Sequence, residues 1–466
     1  MKKMSRIQSE TILFVLLLLI LPDDNQYHPT TFVFPAFKHT YGIRKAGSLE
    51  LFLFMGFKVK FNHPEGLACV RLDSWEDPED PHDDDELTVY GVNSGQNNII
   101  FNSSMWGLGV YGLDEDDDQL LNRPHGICAN SKGDVYVADT GNNRIVRLFN
   151  PNDKLNFITA IGTKGKEEGQ FISPHQVALD NMGNLFVSDS GNNRIQVFDR
   201  FNKFTHSFTG DAYLISPTGI AVTDSLQAYA RNEENFIVII DSLASRISKF
   251  DFRGKLINSF PMSKLGYSRV KLEYVCIDYY NQILITDSEN NCIHKFTHNL
   301  DYVTSFGREG DDDYEFIKPK GITIYRRFGQ LFIAEETGAQ YYWVGTDIYD
   351  FEIHQNKSNL LFSFKITEPS FLTADILDHE GKFIMRLTQQ RLLPNCGEQI
   401  LRWNRTVGMI NRKTIEEEDL DISEIVRPGE KAPPGTYRIK LSLEATYSSR
   451  THFVRSEEKE FQIIDY

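Results

Sequence analysis

Cysteine is scarce in this sequence, with five residues among 466 and no Cys-x-x-Cys spacing. A disulfide framework would need an even and denser set of cysteines. Zinc sites built from thiolates usually contain closely spaced pairs of them. The sequence therefore suggests neither a disulfide framework nor a thiolate zinc site.

Basic residues are also few, because 49 Lys and Arg stand against 65 Asp and Glu, for a net charge of −16. Proteins that bind nucleic acid gain much of their affinity by neutralising phosphates, so we expect no nucleic-acid partner. The sequence also lacks a Gly-x-Ser-x-Gly elbow, a P-loop, a His-Glu-x-x-His pair and a dinucleotide-binding glycine pattern. These absences disfavour the common hydrolase, nucleotide-binding and metalloprotease classes.

One long apolar run is present, at residues 12–21, and it follows Lys2, Lys3 and Arg6. Its length is about half of the ~20 residues that a membrane-spanning helix needs. Basic residues before a short apolar run resemble a secretory signal peptide. We therefore predict that residues 1–24 are a signal peptide or a short uncleaved anchor, and that the protein is exported to the periplasm, the cell surface or the medium. A membrane contact is expected only through such an anchor.

An internal repeat dominates the middle of the chain. The segment "RPHGICANSKGDVYVADTGNNRIVRLFN" at residues 123–150 matches "SPHQVALDNMGNLFVSDSGNNRIQVFDR" at residues 173–200, at a spacing of 50. Fainter copies begin at Ser216, Lys271 and Lys318, and an earlier copy from His63 is split by an insertion. Each copy alternates short apolar strands with turn residues, which is typical of a small antiparallel sheet.

Six copies predict an all-β fold with a six-bladed β-propeller over residues 37–348, because four-stranded sheets with two apolar faces pack around a common axis. Residues 37–61, which include "LELFLFMGFKVKF", are predicted to supply the outer strand that closes the ring against the sixth copy. The copies resemble the NHL repeat, named for Asn-His-Leu, and the resemblance covers roughly residues 60–348. It implies a six-bladed NHL propeller.

Two columns of the aligned copies predict structural roles. An acidic or amide residue ends one strand before the turn, and we expect it to accept the N–H groups of that turn. This column contains Asp139, Asp189, Asp241 and Asp287, with Asn93 and Glu335 in the other two copies. Five residues later an arginine recurs as Arg144, Arg194 and Arg246, and we expect it to tie the turns of neighbouring blades.

The residue after each corner proline begins the innermost strand, beside the central channel. Around the ring this column reads Glu65, His125, His175, Thr218, Glu273 and Lys320. One carboxylate and two imidazoles in adjacent blades can bind a divalent metal such as zinc. The alternative is a structural role, in which each histidine lines the channel and bonds a backbone carbonyl.

The two Pro-His corners are similar to those of peptidyl-hydroxyglycine amidating lyase, a six-bladed propeller whose zinc histidines occupy such corners. That resemblance implies His125 and His175 as metal ligands and a metal-dependent lyase or hydrolase reaction in the channel. This sequence has two Pro-His corners in adjacent copies, whereas that enzyme has them in blades that are not adjacent.

Acidic runs precede several of the corners. The runs at residues 114–118 and 311–315 lie in linkers before Pro-x-Gly corners, whereas residues 73–86, with nine acids among 14 residues, lie inside the first copy between its first and second strands. Such runs are typical of solvated loops, but acids gathered on one rim can also bind calcium or a basic partner. The candidate rim residues are Asp83, Asp84, Asp85, Asp116, Asp117 and Asp118.

Residues 350–466 read as a second domain of short alternating strands. The order "LTADILDHEGKFIMRL", "GEQILRWN" and "APPGTYRIKLSLEA" resembles the Ig-like domain of bacterial flagellar hook-capping proteins, with Trp403 in its core. The resemblance implies attachment or assembly by a β-sandwich. For the whole chain we expect a non-catalytic exported binding or scaffolding protein, with a protein, peptide or glycan as partner. The alternative is the channel enzyme.

Overall fold

The computed structural model describes residues 30–35, 44–75, 87–104, 107–113, 115–210, 213–227, 229–243, 245–356, 359–407 and 430–464. The predicted signal peptide or anchor at residues 1–24 lies outside these ranges, and so do Asp83, Asp84 and Asp85. In the described part of the chain, no helix is both long enough and apolar enough to cross a membrane.

The N-terminal segment contains two short strands and a helix: β1 (Phe32–Val33), β2 (Lys45–Ala46) and α1 (Ser48–Met55). The prediction of a strand across residues 37–61 is therefore wrong at the helix. Leu, Glu and Met are good helix formers, and the Glu50 carboxylate accepts the Gly47 N–H at 2.8 Å, which fixes the helix start.

Sheets 1 to 5 are four-stranded, antiparallel and sequential. Sheet 1 contains β3 (Pro64–Arg71), β4 (Leu87–Asn93), β5 (Asn98–Ser104) and β6 (Gly107–Tyr111). Sheet 2 contains β7 (Ile127–Ala129), β8 (Asp134–Asp139), β9 (Arg144–Phe149) and β10 (Asn156–Ile161). Sheet 3 contains β11 (Pro174–Leu179), β12 (Leu185–Asp189), β13 (Arg194–Phe198) and β14 (Phe204–Phe208).

Sheet 4 contains β15 (Pro217–Thr223), β16 (Phe236–Asp241), β17 (Arg246–Phe250) and β18 (Leu256–Pro261). Sheet 5 contains β19 (Leu272–Ile277), β20 (Ile283–Asp287), β21 (Cys292–Phe296) and β22 (Tyr302–Phe306). A short parallel pair follows, β23 (Arg308–Glu309) and β24 (Glu315–Phe316). Sheet 6 contains β25 (Ile322–Tyr325), β26 (Gln330–Glu335) and β27 (Gly338–Val344), and both β1 and β2 pair with β27.

The first strands of consecutive sheets lie side by side. The Gly66 N–H donates to the His125 carbonyl at 3.0 Å, and the Gly126 N–H donates to the His175 carbonyl at 2.8 Å. In sheet 6, β25 packs against β3 of sheet 1, and a Cβ atom at Gly321 would lie 2.1 Å from the Glu65 carbonyl oxygen. Glycine is required at this close approach.

The cores lie between neighbouring sheets. Ile145 and Ile195 occupy the same position in the two best repeat copies, which predicts that both pack between sheets, and both are fully buried. Ile145 packs in one cluster with Val177 and Leu185 of the next sheet. Apolar residues on both faces of each sheet therefore reach a neighbour, as the repeat requires.

The acidic column holds the linker that enters each sheet. Oδ1 of Asp139 accepts the Asn122 N–H at 2.7 Å, and Oδ1 of Asp189 accepts the Ile172 N–H at 2.8 Å. Arg144 bonds Asp139 of its own sheet and the carbonyl oxygens of Asp118 and Leu120 in the same linker. The predicted roles in turn capping and in joining neighbouring blades are thus corrected for these residues: the carboxylate and the arginine together fix the incoming linker.

Residues 348–463 form two antiparallel sheets around one core. One sheet has the order β28 (Ile348–Gln355), β29 (Leu360–Ile366) and β32 (Gly397–Trp403). The other has the order β31 (Phe383–Leu393), β30 (Ser370–Asp378), β33 (Gly435–Ala445) and β34 (Arg455–Ile463). Trp403 lies in the shared core and is 3% exposed, as predicted.

Candidate functional site

The corner residues of sheets 1, 2 and 3 meet where the first strands of these sheets begin, a place that we call the mouth. The rings of His125 and His175 are neighbours, with centroids 4.7 Å apart. Nδ1 of His125 contacts the Arg123 carbonyl at 3.1 Å and the Thr140 hydroxyl at 3.0 Å. The structure therefore brings the two predicted histidines together, and it holds one of them by local hydrogen bonds.

Burial favours the neutral form of both imidazoles. Burial, together with the nearby His125 and Lys320, lowers the pKa of His175 to about 3. Burial also lowers the pKa of His125, against the opposing effect of the Glu65 carboxylate. Neutral imidazoles at neutral pH can accept hydrogen bonds or bind a metal.

The carboxylate of Glu65 is already paired. It forms an ion pair with Lys320 of sheet 6 and accepts a hydrogen bond of 3.0 Å from the Tyr274 hydroxyl of sheet 5. The next acid of the same column, Glu273, bonds Lys271 and Ser288, each at 2.6 Å. Acids of the mouth therefore pair with cations and hydroxyls of the same mouth.

Within the described residues, the set of three His, Cys or carboxylate donors that lies close enough to share one metal ion is in sheet 5. Glu65, His125 and His175 do not form such a set. Metal binding by these three residues stays a prediction.

The acidic linker before sheet 2 lies on the rim beside the mouth. Asp116, Asp117 and Asp118 are exposed, and Arg144 fixes their linker by bonding the Asp118 carbonyl at 2.8 Å. In the next sheet Arg194 bonds the Glu167 carbonyl at 2.8 Å in the same way. The repeat therefore places the linkers before sheets 2 and 3 on one face, and the first of them is acidic.

The prediction that the run at residues 73–86 shares this rim is wrong where the structure describes it, because β3 pairs Pro64 with Asn93 and Arg71 with Leu87, so Asp73 follows the end of β3 that lies opposite the corner. The Asp73 N–H donates to the Ser131 carbonyl at 2.8 Å, in the turn between β7 and β8.

The third acidic linker is partly neutralised by the N-terminal segment. Lys45 of β2 forms an ion pair with Asp311, and Arg44 lies 3.7 Å from the Asp313 carboxylate. Within the described residues, Asp116, Asp117 and Asp118 of the linker before sheet 2 are exposed and have no ion pair with a cation.

A cavity of about 390 Å³ lies between α1 and sheets 1 and 6. Leu51, Phe54, Phe101 and Phe332 are among the residues that line it. The outer side of α1 exposes Leu49 and Leu53, and Phe57, just after the helix, is 82% exposed. The sequence prediction of a strand at residues 37–61 missed this feature. The Gly47 and Glu50 pair at the helix start was the available signal.

The two best repeat copies match a known family. The NHL repeat matches at residues 121–148 and 171–198, which span the first three strands of sheet 2 and of sheet 3. The chain is therefore an all-β protein that contains NHL repeats, and its repeated sheets are of the propeller type.

Individual proteins resemble it more distantly. "Protein brain tumor" of Drosophila melanogaster is 27% identical over 159 residues, which are 34% of this chain and 14% of that protein. Virginiamycin B lyase from Staphylococcus aureus is 16% identical, covers 55% of this chain and 76% of its own, and has a TM-score of 0.39. A gluconolactonase from Xanthomonas campestris is 11% identical, with coverages of 61% and 87% and a TM-score of 0.41. At these TM-scores the two enzymes support no argument about activity.

Proposed function

We propose that this chain is an exported, non-catalytic binding or scaffolding protein, with six NHL-like propeller blades and a C-terminal Ig-like domain. In this proposal the rim that surrounds the mouth binds a basic protein or peptide. The observation that supports it most directly is the fixed position of the acidic linker at Asp116, Asp117 and Asp118, which Arg144 holds on that rim.

The charges of the mouth support a binding role over a catalytic one. A general base must come within hydrogen-bond reach of its substrate. The Glu65 carboxylate is engaged by Lys320 and Tyr274 instead. Exposed rim carboxylates, in contrast, attract cationic partners over a distance of about 8 Å at physiological ionic strength.

A peptide-binding assay tests the rim. The probes are a lysine-rich and a glutamate-rich peptide of equal length, measured at about 50 and about 300 mM salt. We expect the lysine-rich peptide to bind and to weaken with salt. The double substitution Asp117→Asn, Asp118→Asn should reduce its affinity several-fold.

A matched control carries the same charge change on the opposite face. Asp153 and Glu233 are exposed in loops at the other end of the strands, so Asp153→Asn with Glu233→Gln should leave binding unchanged. Equal losses in both double variants would show that the rim is not the binding face, and the proposal would be wrong.

A further inference from the structure

Sheet 5 departs from the repeat at the strand that follows its turn. In sheets 2, 3 and 4 this strand begins with Arg144, Arg194 and Arg246. In sheet 5 the same register position, opposite Asp287, holds Cys292. The column that places an arginine opposite a carboxylate in sheets 2, 3 and 4 therefore places a thiol opposite one here.

The lost arginine has an electrostatic consequence. Asp139 and Asp189 are fully buried, and each receives an arginine Nε at 2.7 and 2.8 Å. Asp287 is equally buried, and its partner in an ion pair among the described residues is His294, with Nε2 at 3.1 Å from Oδ2.

A buried carboxylate needs hydrogen bonds, a paired cation or a metal ion. Asp287 accepts the N–H groups of Lys271, Glu289 and Asn290 at 3.1, 3.0 and 3.2 Å and the Asn290 side-chain amide at 2.7 Å. These bonds do not replace the positive charge of the arginine, and a bound cation would supply it.

Three different donor atoms converge at this point. Cys292 and His294 are two residues apart on β21, so their side chains share one face of the strand. The Cys292 Sγ lies 3.8 Å from the His294 Nε2, and the three donors, with the Asp287 carboxylate, all lie within 4.8 Å of one another. A tetrahedral ion with bonds of about 2.0–2.3 Å to N, O and S ligands fits between atoms at such separations.

The other ring nitrogen of His294 is oriented as in a metal-bound histidine. Nδ1 lies 2.6 Å from the Ser305 hydroxyl, which in turn lies 2.8 Å from the Tyr302 hydroxyl. An Nδ1–H that donates to Ser305 leaves the Nε2 lone pair facing the carboxylate and the thiol. Histidine ligands usually donate their second N–H in this way, which fixes the tautomer.

We propose that Asp287, Cys292 and His294 form a zinc-binding site in sheet 5. The zinc ion takes the place that the arginine side chain occupies in sheets 2 and 3. Sulfur, nitrogen and oxygen ligands together favour Zn²⁺ over hard cations such as Mg²⁺ or Ca²⁺. The ion displaces the thiol proton to solvent when it binds. Tyr267 covers the site and is 40% exposed, so it marks the route from solvent.

Cobalt provides the test, because Co²⁺ bound to a thiolate produces a charge-transfer absorption in the near ultraviolet. The full chain is stripped with a chelator and titrated with Co²⁺ and then Zn²⁺. We expect one equivalent of Co²⁺ to produce the absorption, Zn²⁺ to abolish it, and Zn²⁺ to raise the thermal midpoint of unfolding.

Sheet 3 is the template for a variant that lacks the proposed site. In sheet 3 the Asp189 carboxylate is bonded by Arg194 and by Gln196, so Cys292→Arg with His294→Gln rebuilds that arrangement in sheet 5. This variant should fold, lose the cobalt absorption and show no thermal shift with Zn²⁺. Cys276→Ala is the matched thiol control, since other copies hold Ala178 and Ala221 there, and it should behave as wild type.

The proposal is overturned if wild type shows no thiolate absorption with equimolar Co²⁺. It is also overturned if the variant with Cys292→Arg and His294→Gln binds Zn²⁺ as tightly as wild type. Either result would leave His294 as a simple hydrogen-bond partner of Asp287.

Discussion

At the scale of single residues, the last asparagine of each "GNN" turn joins neighbouring sheets. Asn143 and Asn193 adopt positive φ angles of 56° and 55°. Their side-chain Oδ1 atoms accept the N–H of Ser173 at 3.0 Å and of Ser216 at 2.9 Å, in the corner of the next sheet. Asparagine satisfies both requirements, because it tolerates the left-handed conformation and offers a short acceptor.

This dual role predicts an order of stabilities for variants of Asn193. Asn193→Gly keeps the backbone conformation and loses the hydrogen bond, so we expect a loss of about 1 kcal/mol. Asn193→Ala also adopts a strained left-handed conformation, which adds about 1–2 kcal/mol. Urea denaturation measures both. Asn156→Ala, in a strand, is the control, and equal stability of the Gly and Ala variants would contradict the backbone part of the argument.

At the scale of elements, α1 is attached to the sheets by one side only. Leu51 is 3% exposed and lines the cavity beside sheets 1 and 6, whereas Leu53 is 71% exposed. Leu51→Ala should lower the free energy of unfolding by about 2 kcal/mol or more. Leu53→Ala should change it by less than about 0.5 kcal/mol. The same loss for both substitutions in urea denaturation would show that α1 does not dock as described.

The elements that the sequence predicts correctly are those that repeat. Ile145 and Ile195 share a register position, so comparing the copies identified them as buried. The helix α1 has no second copy, and the alternating Leu49, Leu51 and Leu53 fit a strand as well as a helix. Local periodicity could not separate the two.

The contacts of Glu65 and of Cys292 join residues whose closeness in space cannot be read from their spacing in the sequence. Glu65 pairs with Lys320, 255 residues away, because sheet 6 packs on sheet 1. The thiol of Cys292 meets Asp287 through strand register. A search for closely spaced cysteines could not detect that contact, whereas a Cys-x-His pattern opposite an aspartate could have.

At the scale of the whole molecule, a buried ion pair joins the repeat region to the C-terminal sheets. Lys295 of β21 pairs with Glu368, which precedes β30, and both side chains are almost fully buried. Gln282 donates to the same carboxylate at 3.0 Å. Removing one partner of a buried pair leaves an uncompensated charge, whereas replacing both with apolar residues often costs little. The relative position of the two regions is therefore sensitive to the ionisation of Lys295 and Glu368.

The pH dependence of stability should report this contact. Burial raises the pKa of Glu368 from 4.5 to about 8, against the opposing effect of Lys295. The folded protein thus retains a proton that the unfolded chain has lost between these values, so stability should fall as the pH rises across that window. Asp278 and Cys396 lie near the same carboxylate, and burial raises the pKa of each.

The double variant Lys295→Met, Glu368→Leu removes the pair and leaves those two groups in place. Urea denaturation at about pH 5, pH 7 and pH 9 should therefore show a smaller loss of stability in the double variant than in wild type. Identical pH profiles would mean that Glu368 does not titrate in this window.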